Sequence, residues 1–328
     1  MGGIMIRNQW YVVLESKEVK NKPVGVTRMN EKLVFYRDSK NQVHCLKDRC
    51  VHRGVQLSLG EIHGDHLHCP FHGFEYNASG QVEVIPAYGR HYEVPERYKV
   101  VSYDTYECHG FIYIYWGEKA DSLPEFFDDL KGLSYSGLKE VWSVHYSRAI
   151  ENQLDVVHLP FVHRNTIGKG ERYVVDGPVV EWVDEDKFEF FVYNRVEDGT
   201  IAKTPSEMPK PNRETDFRLG FKFPNLWQNY IDDRVRILAA FAPIDEEHTM
   251  IYLRFYQGFM KVPFIKNIVN FSAMLFNRKV LHQDRRVVLT QMPKKSMLKM
   301  SDVLIQGDLP IVTYRKRRDE LLNEKRSM

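Results

Sequence analysis

The chain has 328 residues, of which 43% are hydrophobic and 27% are charged, and its formal net charge is +2. These values are ordinary for a globular protein and exclude a disordered or fibrous chain. The near-neutral charge gives no reason to expect nucleic acid as a partner, and the most apolar late segment, 262–280, is too polar and too short to predict a membrane span.

The first third of the chain is predicted to be antiparallel β-structure. Short runs rich in Val, Tyr, Phe and Ile, from "QWYVVL" to "FIYIYWG", alternate with turn signals of Gly, Asn, Asp and Ser. One of these signals, "NASGQ" at 77–81, predicts a hairpin turn. A polar segment containing Pro124 ends the strands, so we place a boundary near Gly117 and predict domains at 1–117 and 118–328.

The second domain is predicted to combine helices with strands. Helical periodicity covers about 148–164, strands return between 179 and 258, and two helices are expected at about 262–291 and 313–326. Together the two parts predict the α+β class. In this domain Trp227, Tyr230, Phe241 and Phe255 are predicted to lie either in the core or in the wall of a pocket.

Four metal-ligand residues lie in two tight pairs in the first domain. Cys50 and His52 belong to "CVHRG", and Cys69 and His72 belong to "CPFHG". Two Cys-His pairs could hold zinc in a tetrahedral site. Mixed pairs are also what a Rieske [2Fe–2S] cluster requires, because two thiolates bind one iron and two imidazoles bind the other.

The other cysteines, Cys45 and Cys108, lie in apolar strand patterns and are predicted to be core thiols. Four cysteines in a chain without a secretory signal do not indicate a disulfide framework. We therefore expect a reducing, cytoplasmic location. The histidines at 63, 66 and 68 are expected to be strand or loop residues.

A second candidate site lies in "AIENQLDVVHLPFVHRNTIG". Asn152, Asp155 and His158 recur every three residues, which predicts one helix face. Pro160 must distort or break the helix, and such a bend could bring His163 to the same metal. The alternative is a helix with ordinary surface residues.

The two segments together resemble the Rieske-type non-haem iron oxygenases. "CVHRGVQLSLGEI" with "CPFHGFEYNASGQ" is similar to the Rieske motif, although Val51 and Phe74 replace a usual Pro and a common Trp. Asn-x-x-Asp-x-x-His-x4-His resembles the family's catalytic iron motif at all four positions. The resemblance implies a Rieske domain followed by a helix-grip-like catalytic domain with a curved antiparallel sheet.

The resemblance also implies the site residues and their cofactors. Cys50, His52, Cys69 and His72 would bind the [2Fe–2S] cluster. His158, His163 and a late carboxylate would bind mononuclear Fe(II) as a facial triad open to O2. Asp284 in "HQDRRVVLTQMP" fits that carboxylate better than the acidic residues at 232, 233, 245, 246 and 247, which have the pattern of turn residues.

Asp155 would orient the imidazole of His158. In the family its equivalent also contacts the Rieske histidine of the next subunit, here His72, so electrons cross between the subunits of a homotrimer. Asn152 is expected near the site.

The implied function is that of a terminal oxygenase supplied with electrons from NAD(P)H by a separate flavin- or ferredoxin-type reductase. The chain resembles the vanillate and dicamba O-demethylases or the saxitoxin-pathway hydroxylases more than the larger subunits of the naphthalene- and biphenyl-type dioxygenases. We therefore expect hydroxylation or O- or N-demethylation of a small, largely apolar aromatic or polycyclic substrate. Three alternatives stay open: a ring cis-dihydroxylating dioxygenase, a Rieske electron-transfer protein, and a zinc-stabilised ligand-binding module.

Overall fold

A computed structural model describes residues 5–260 and 262–324. The chain forms two compact units. An N-terminal unit takes the chain up to Phe126 together with Ala242–Asp245, and a C-terminal unit takes the remainder from Phe127. The predicted α+β class is confirmed, and the domain ranges 1–117 and 118–328 stay a prediction.

The N-terminal unit is built from three small sheets, with strand orders β1-β11-β10, β2-β3-β4-β9 and β5-β6-β7-β8. The predicted turn at 77–81 joins β7 to β8, and the N–H of Asn77 donates to the carbonyl of Gln81 at 3.0 Å. The strands are β1 Trp10–Glu15, β2 Val24–Arg28, β3 Glu31–Arg37, β4 Val43–Lys47, β5 Glu61–His63, β6 His66–His68, β7 Glu75–Tyr76, β8 Val82–Val84, β9 Ser102–Tyr103, β10 Thr105–Cys108 and β11 Phe111–Tyr115.

One apolar core lies between strands of the second and third sheets. Tyr36 and Leu46 come from one sheet and Leu67 and Tyr76 from the other, and all four are fully buried. Cys50 and Cys69 belong to the same core. The thiols of both Cys-His pairs are therefore fixed by packing.

The C-terminal unit contains a seven-stranded antiparallel sheet of order β12-β18-β17-β16-β15-β14-β13. Its first strand was not predicted, because polar and small residues interrupt the apolar run at 134–142. The strands are β12 Ser134–Trp142, β13 Val174–Trp182, β14 Lys187–Arg195, β15 Arg218–Lys222, β16 Leu226–Asp232, β17 Val235–Pro243 and β18 Thr249–Gln257.

Four helices complete the described residues of this unit: α1 Tyr146–Leu154, α2 Leu159–Val162, α3 Pro263–Val288 and α4 Leu309–Asn323. The two late helices confirm those predicted at 262–291 and 313–326, of which positions 325 and 326 lie outside the described residues.

The prediction of one helix face through Asn152, Asp155 and His158 is wrong. Helix α1 ends at Leu154, and α2 begins only at Leu159. The carboxylate of Asp155 accepts the backbone N–H groups of Val157 at 2.8 Å and His158 at 3.1 Å, and this turn competes with continued helix. The break precedes Pro160, which lies in the first turn of α2, where its missing N–H is harmless.

A buried ion-pair network joins α1 to α4. Glu151 receives hydrogen bonds from Arg148 at 3.0 Å and from Arg315 at 2.7 and 3.0 Å, and all three residues are at most 3% exposed. Asp302 accepts from both arginines at 3.1 and 2.8 Å. Two cations therefore balance two carboxylates directly beneath the helix that leads to Asp155.

Glu151→Gln should lower the free energy of unfolding by about 3 kcal/mol, because it leaves a buried guanidinium without its counter-charge. Glu320→Gln is the matched control. Its carboxylate pairs with Arg317 at the surface, and we expect a loss of about 0.5 kcal/mol or less. Denaturant titration of both variants measures the difference. Equal losses would contradict the role given to the network.

Candidate metal centres and substrate cavity

The two Cys-His loops have the same backbone construction. In the first, Cys50 accepts the N–H of Gly54 at 2.9 Å and donates its own N–H to Val55 at 2.8 Å. The second loop has the same two backbone hydrogen bonds. The N–H of Gly73 donates to the carbonyl of Cys69 at 3.0 Å, and the N–H of Cys69 donates to the carbonyl of Phe74 at 2.9 Å. The glycines have φ of 74° and 70°, a conformation that favours glycine.

These loops place the thiols inside and the imidazoles outside. Cys50 and Cys69 are each 3% exposed and are free thiols. His52 and His72 are exposed, with ring centroids 4.6 Å apart. Burial raises the pKa of the Cys69 thiol, and the neighbouring Cys50 raises it further. Two adjacent buried thiols become thiolates readily only with positive charge beside them, so this donor set fits an iron–sulfur cluster.

Tyr76 was missed by the sequence analysis. Its hydroxyl donates to Sγ of Cys50 at 3.1 Å and accepts the N–H of Val51 at 3.0 Å. The signal available in the sequence was its position in a strand pattern directly after the second Cys-His loop. The hydroxyl adds a donor to a sulfur that would carry negative charge.

His158, His163 and Asp284 form the second cluster. Their ligand atoms all lie within 4.8 Å of one another. Nε2 of His158 and Nε2 of His163 are 3.2 Å apart, and they lie 3.4 and 2.9 Å from Oδ1 of Asp284. The gap between α1 and α2 lets the chain turn back, so that both imidazoles meet Asp284 on α3.

The environment of His163 favours metal binding. Gln283, which was not predicted, accepts the Nδ1–H of His163 at 3.0 Å through Oε1, and that oxygen also accepts from Thr166 at 2.8 Å. Donation from Nδ1 leaves a lone pair on Nε2, which faces Asp284. Oδ1 of Asp284 is buried without a hydrogen-bond partner among the described residues, so the donor set fits a divalent cation.

Asp155 lies beside the cluster and outside it. Its Oδ1 is 3.5 Å from Nδ1 of His158, an ion-pair distance without hydrogen-bond geometry. Burial lowers the pKa of His158, but Asp155 and Asp284 outweigh it and raise that pKa to about 9. Burial raises the pKa of Asp284, and His158 and His163 outweigh it and hold the carboxyl ionised. A cation would replace the imidazolium proton.

The remaining acidic and thiol candidates lie elsewhere. Among the described residues, the carboxylates at 232, 233, 245, 246 and 247 take no part in the His-His-Asp cluster. Glu246 pairs with Lys295 at 2.8 Å. Cys45 is a buried core thiol as predicted, whereas Cys108 is only half-buried at the end of β10.

A cavity of about 120 Å³ opens beside the cluster, inside the C-terminal unit. Asn152, at 9% exposure, lines it but is not a member of the cluster. Trp227 lines the cavity, whereas Tyr230, Phe241 and Phe255 are not part of its described lining. The cavity is lined by residues of the sheet and of three helical segments, among them Val192, Asn194, Phe217, Leu219, Asn229, Ile237, Leu253, Asn277, Val280 and Leu281.

Two family models match the two parts of the chain. A Rieske [2Fe-2S] domain model matches residues 9–104, and the model of the vanillate O-demethylase oxygenase C-terminal domain matches residues 142–324, more than half of the chain. The chain belongs to the Rieske terminal oxygenases. The family assignment made from the two motifs is confirmed, and the first loop pair lies in a Rieske [2Fe-2S] domain.

Two of the similar proteins are demethylases by name. The vanillate O-demethylase oxygenase subunit of Pseudomonas sp. is 32% identical over 55% of this chain and 51% of its own length. Methylxanthine N1-demethylase NdmA of Pseudomonas putida is 26% identical over 96% of this chain and 89% of its own. The solved structure of NdmA shares the fold, with a TM-score of 0.78 at 22% identity over 98% and 92% of the two chains.

This oxygenase chain spans about half the length of the first curated relatives, 48% and 51%. Among residues 5–260 and 262–324, the helices are all too short or too polar to cross a membrane.

Gln283→Leu should weaken Fe(II) binding by about tenfold, because His163 loses the acceptor that fixes its ring and tautomer. The iron–sulfur cluster should be unaffected. Gln291→Leu, at an exposed position after α3, is the control. Competition with a ferrous chelator measures the affinity. Unchanged binding in Gln283→Leu would show that His163 is oriented by packing alone.

Proposed function

We propose that this chain is the terminal oxygenase of a multicomponent monooxygenase system. It would hydroxylate, or O- or N-demethylate, a small and largely apolar aromatic or polycyclic substrate, with O2 as co-substrate. The observation that carries the proposal is the convergence of His158, His163 and Asp284 in the wall of a cavity. The names of the similar demethylases support demethylation.

Seven residues would hold the two metal groups. Cys50, His52, Cys69 and His72 would bind the [2Fe–2S] cluster, and His158, His163 and Asp284 would bind Fe(II). When bound, the cluster supplies single electrons and the ferrous ion supplies the reduction of O2 beside the substrate. Two imidazoles and one carboxylate leave the positions that this chemistry needs.

Other residues orient the two imidazole rings and enclose the substrate. Gln283 accepts a hydrogen bond from Nδ1 of His163, and Asp155 faces Nδ1 of His158 at an ion-pair distance of 3.5 Å, so that both Nε2 atoms face Asp284. The apolar side chains of Leu219, Ile237 and Leu253 line the cavity and disfavour water there.

The electron route involves partners. We propose a homotrimer in which Asp155 also contacts His72 of a second copy of this chain, so that its carboxylate joins the two imidazoles bound to different metals. A separate flavin- or ferredoxin-type reductase would supply electrons from NAD(P)H. The similarity to a monooxygenase system iron-sulfur subunit supports such a partner. We propose a cytoplasmic location.

Two features argue against the other classes. A protein that only transfers electrons has no use for a buried His-His-Asp cluster beside a cavity. A zinc-stabilised binding module would not match a Rieske [2Fe-2S] domain model. A cis-dihydroxylating dioxygenase stays an alternative reaction of the same site, which product analysis distinguishes.

Anaerobically purified protein should contain about three irons and two acid-labile sulfides per chain, with a Rieske-type EPR signal after reduction. His158→Ala should keep the signal and the sulfide and lose one iron. Full iron content in His158→Ala would contradict the assignment of His158 as a ligand of a mononuclear iron site. Zinc without sulfide in the parent protein would remove the oxygenase function.

Asp155→Asn should retain both metal groups and lose substrate-coupled turnover by at least about a hundredfold, because a neutral amide no longer balances the charge on the linked imidazoles. Iron and sulfide content, EPR and product formation with an added reductase are measured together. Asp233→Asn, a substitution of the same kind at an exposed position outside the cluster, is the control. Coupled turnover at the parental rate in Asp155→Asn would sink the electron-bridge role.

A further inference from the structure

Two asparagines and a tryptophan in the wall of the substrate cavity each have a polar side-chain atom without a hydrogen-bond partner among the described residues. Trp227 and Asn229 lie two residues apart on β16, so their side chains share one face of the sheet. Nε1 of Trp227 and Oδ1 of Asn229 are shielded from solvent and make no hydrogen bond to any described residue. Both residues line the cavity, together with Asn152, whose Nδ2 is shielded and unpaired in the same way.

Unpaired buried polar atoms of this kind are costly. A shielded donor or acceptor without a partner loses its hydrogen bonds to water and gains none in return. Apolar atoms make up most of the area of the cavity wall, and the unpaired donor and acceptor lie on one strand of it. A ligand that offers an acceptor to Trp227 and a donor to Asn229 would satisfy both.

The sheet also keeps cations out of the cavity. Strand alternation places an arginine on the opposite face next to a cavity-lining residue in four strands. The pairs are Asn194 with Arg195, Leu219 with Arg218, Ile237 with Arg236, and Leu253 with Arg254.

These arginines are engaged on their own face. Arg195 pairs with Asp176 at 2.9 Å, and Arg236 pairs with Asp129 at 3.0 Å. The guanidinium of Arg218 lies 4.0 Å from the ring centroid of Tyr230. Within residues 5–260 and 262–324, no lysine or arginine lines the cavity, and its acidic residues are Asp155 and Asp284.

We infer that the substrate is a neutral molecule with both a hydrogen-bond donor and an acceptor on an apolar frame, such as an amide or lactam, and that Asn229 and Trp227 select it. This inference rests on the proposed function and narrows its substrate class. A carboxylate or sulfonate could accept from Trp227, but it offers no donor to Oδ1 of Asn229, and no lysine or arginine of the described lining balances its charge.

The test compares matched probes on the iron-loaded protein. The probes are the amide and the carboxylate of methoxy-substituted benzene, naphthalene and indole, each with its methyl analogue as the apolar reference. Anaerobic calorimetry measures binding without turnover. Formaldehyde release with an added reductase measures demethylation separately.

On at least one frame the amide should bind at least about a hundredfold more tightly than the carboxylate and about tenfold more tightly than the methyl analogue. Asn229→Leu should reduce the ratio of amide to methyl-analogue affinity from about tenfold to about one. Asn267→Leu, the same change at an exposed position of α3, should leave both preferences intact.

A carboxylate that binds as tightly as its amide overturns the inference, and so does failure of every amide to bind. Retained amide preference in Asn229→Leu, with Trp227→Phe also without effect, overturns the role of these two residues. Binding of the amide without formaldehyde release keeps the inference and counts against demethylation. Equal demethylation of the carboxylate and the amide supports the proposed function and contradicts the inference that the substrate is neutral.

Discussion

The structure depends on bringing two imidazole nitrogens and one carboxylate oxygen to within 3.4 Å of one another in a buried place. With both imidazoles neutral, such a cluster is unfavourable. An unpaired carboxylate in a low-dielectric site requires a compensating positive charge. A divalent cation supplies that charge. The local structure of the C-terminal unit is arranged to hold these three side chains in position.

The break between α1 and α2 is the first part of that arrangement. Asp155 ends one helix by accepting two backbone N–H groups, and the next helix begins with His158 as its preceding residue. Had the helix continued, His158 and His163 would point in different directions. The same carboxylate that makes the turn faces Nδ1 of His158, so one side chain sets both the backbone path and the direction of the ring.

Charged side chains on either side of the metal site are paired or lie away from the cavity. Beneath α1, Arg148, Glu151 and Arg315 are buried with balanced partners. Across the sheet, arginines lie on the face away from the cavity. The cavity itself holds carboxamides and apolar side chains, with its carboxylates beside the metal cluster. The polarity of each face follows from strand alternation, and the substrate meets only one of these faces.

The sequence by itself determined the two metal motifs, the α+β class and the family. Ligand spacing in a short loop is local, so Cys50, His52, Cys69 and His72 could be paired without knowing the fold, and Asp284 followed from the resemblance. Only the tertiary structure decided that α1 stops at Leu154, that Tyr76 reaches Cys50, that Gln283 holds His163, and that Asn229 faces the cavity. Each of these depends on contacts or surfaces formed by segments that packing brings together. Helical periodicity does not predict that the Asp155 carboxylate accepts the backbone N–H groups of Val157 and His158 and so ends the helix.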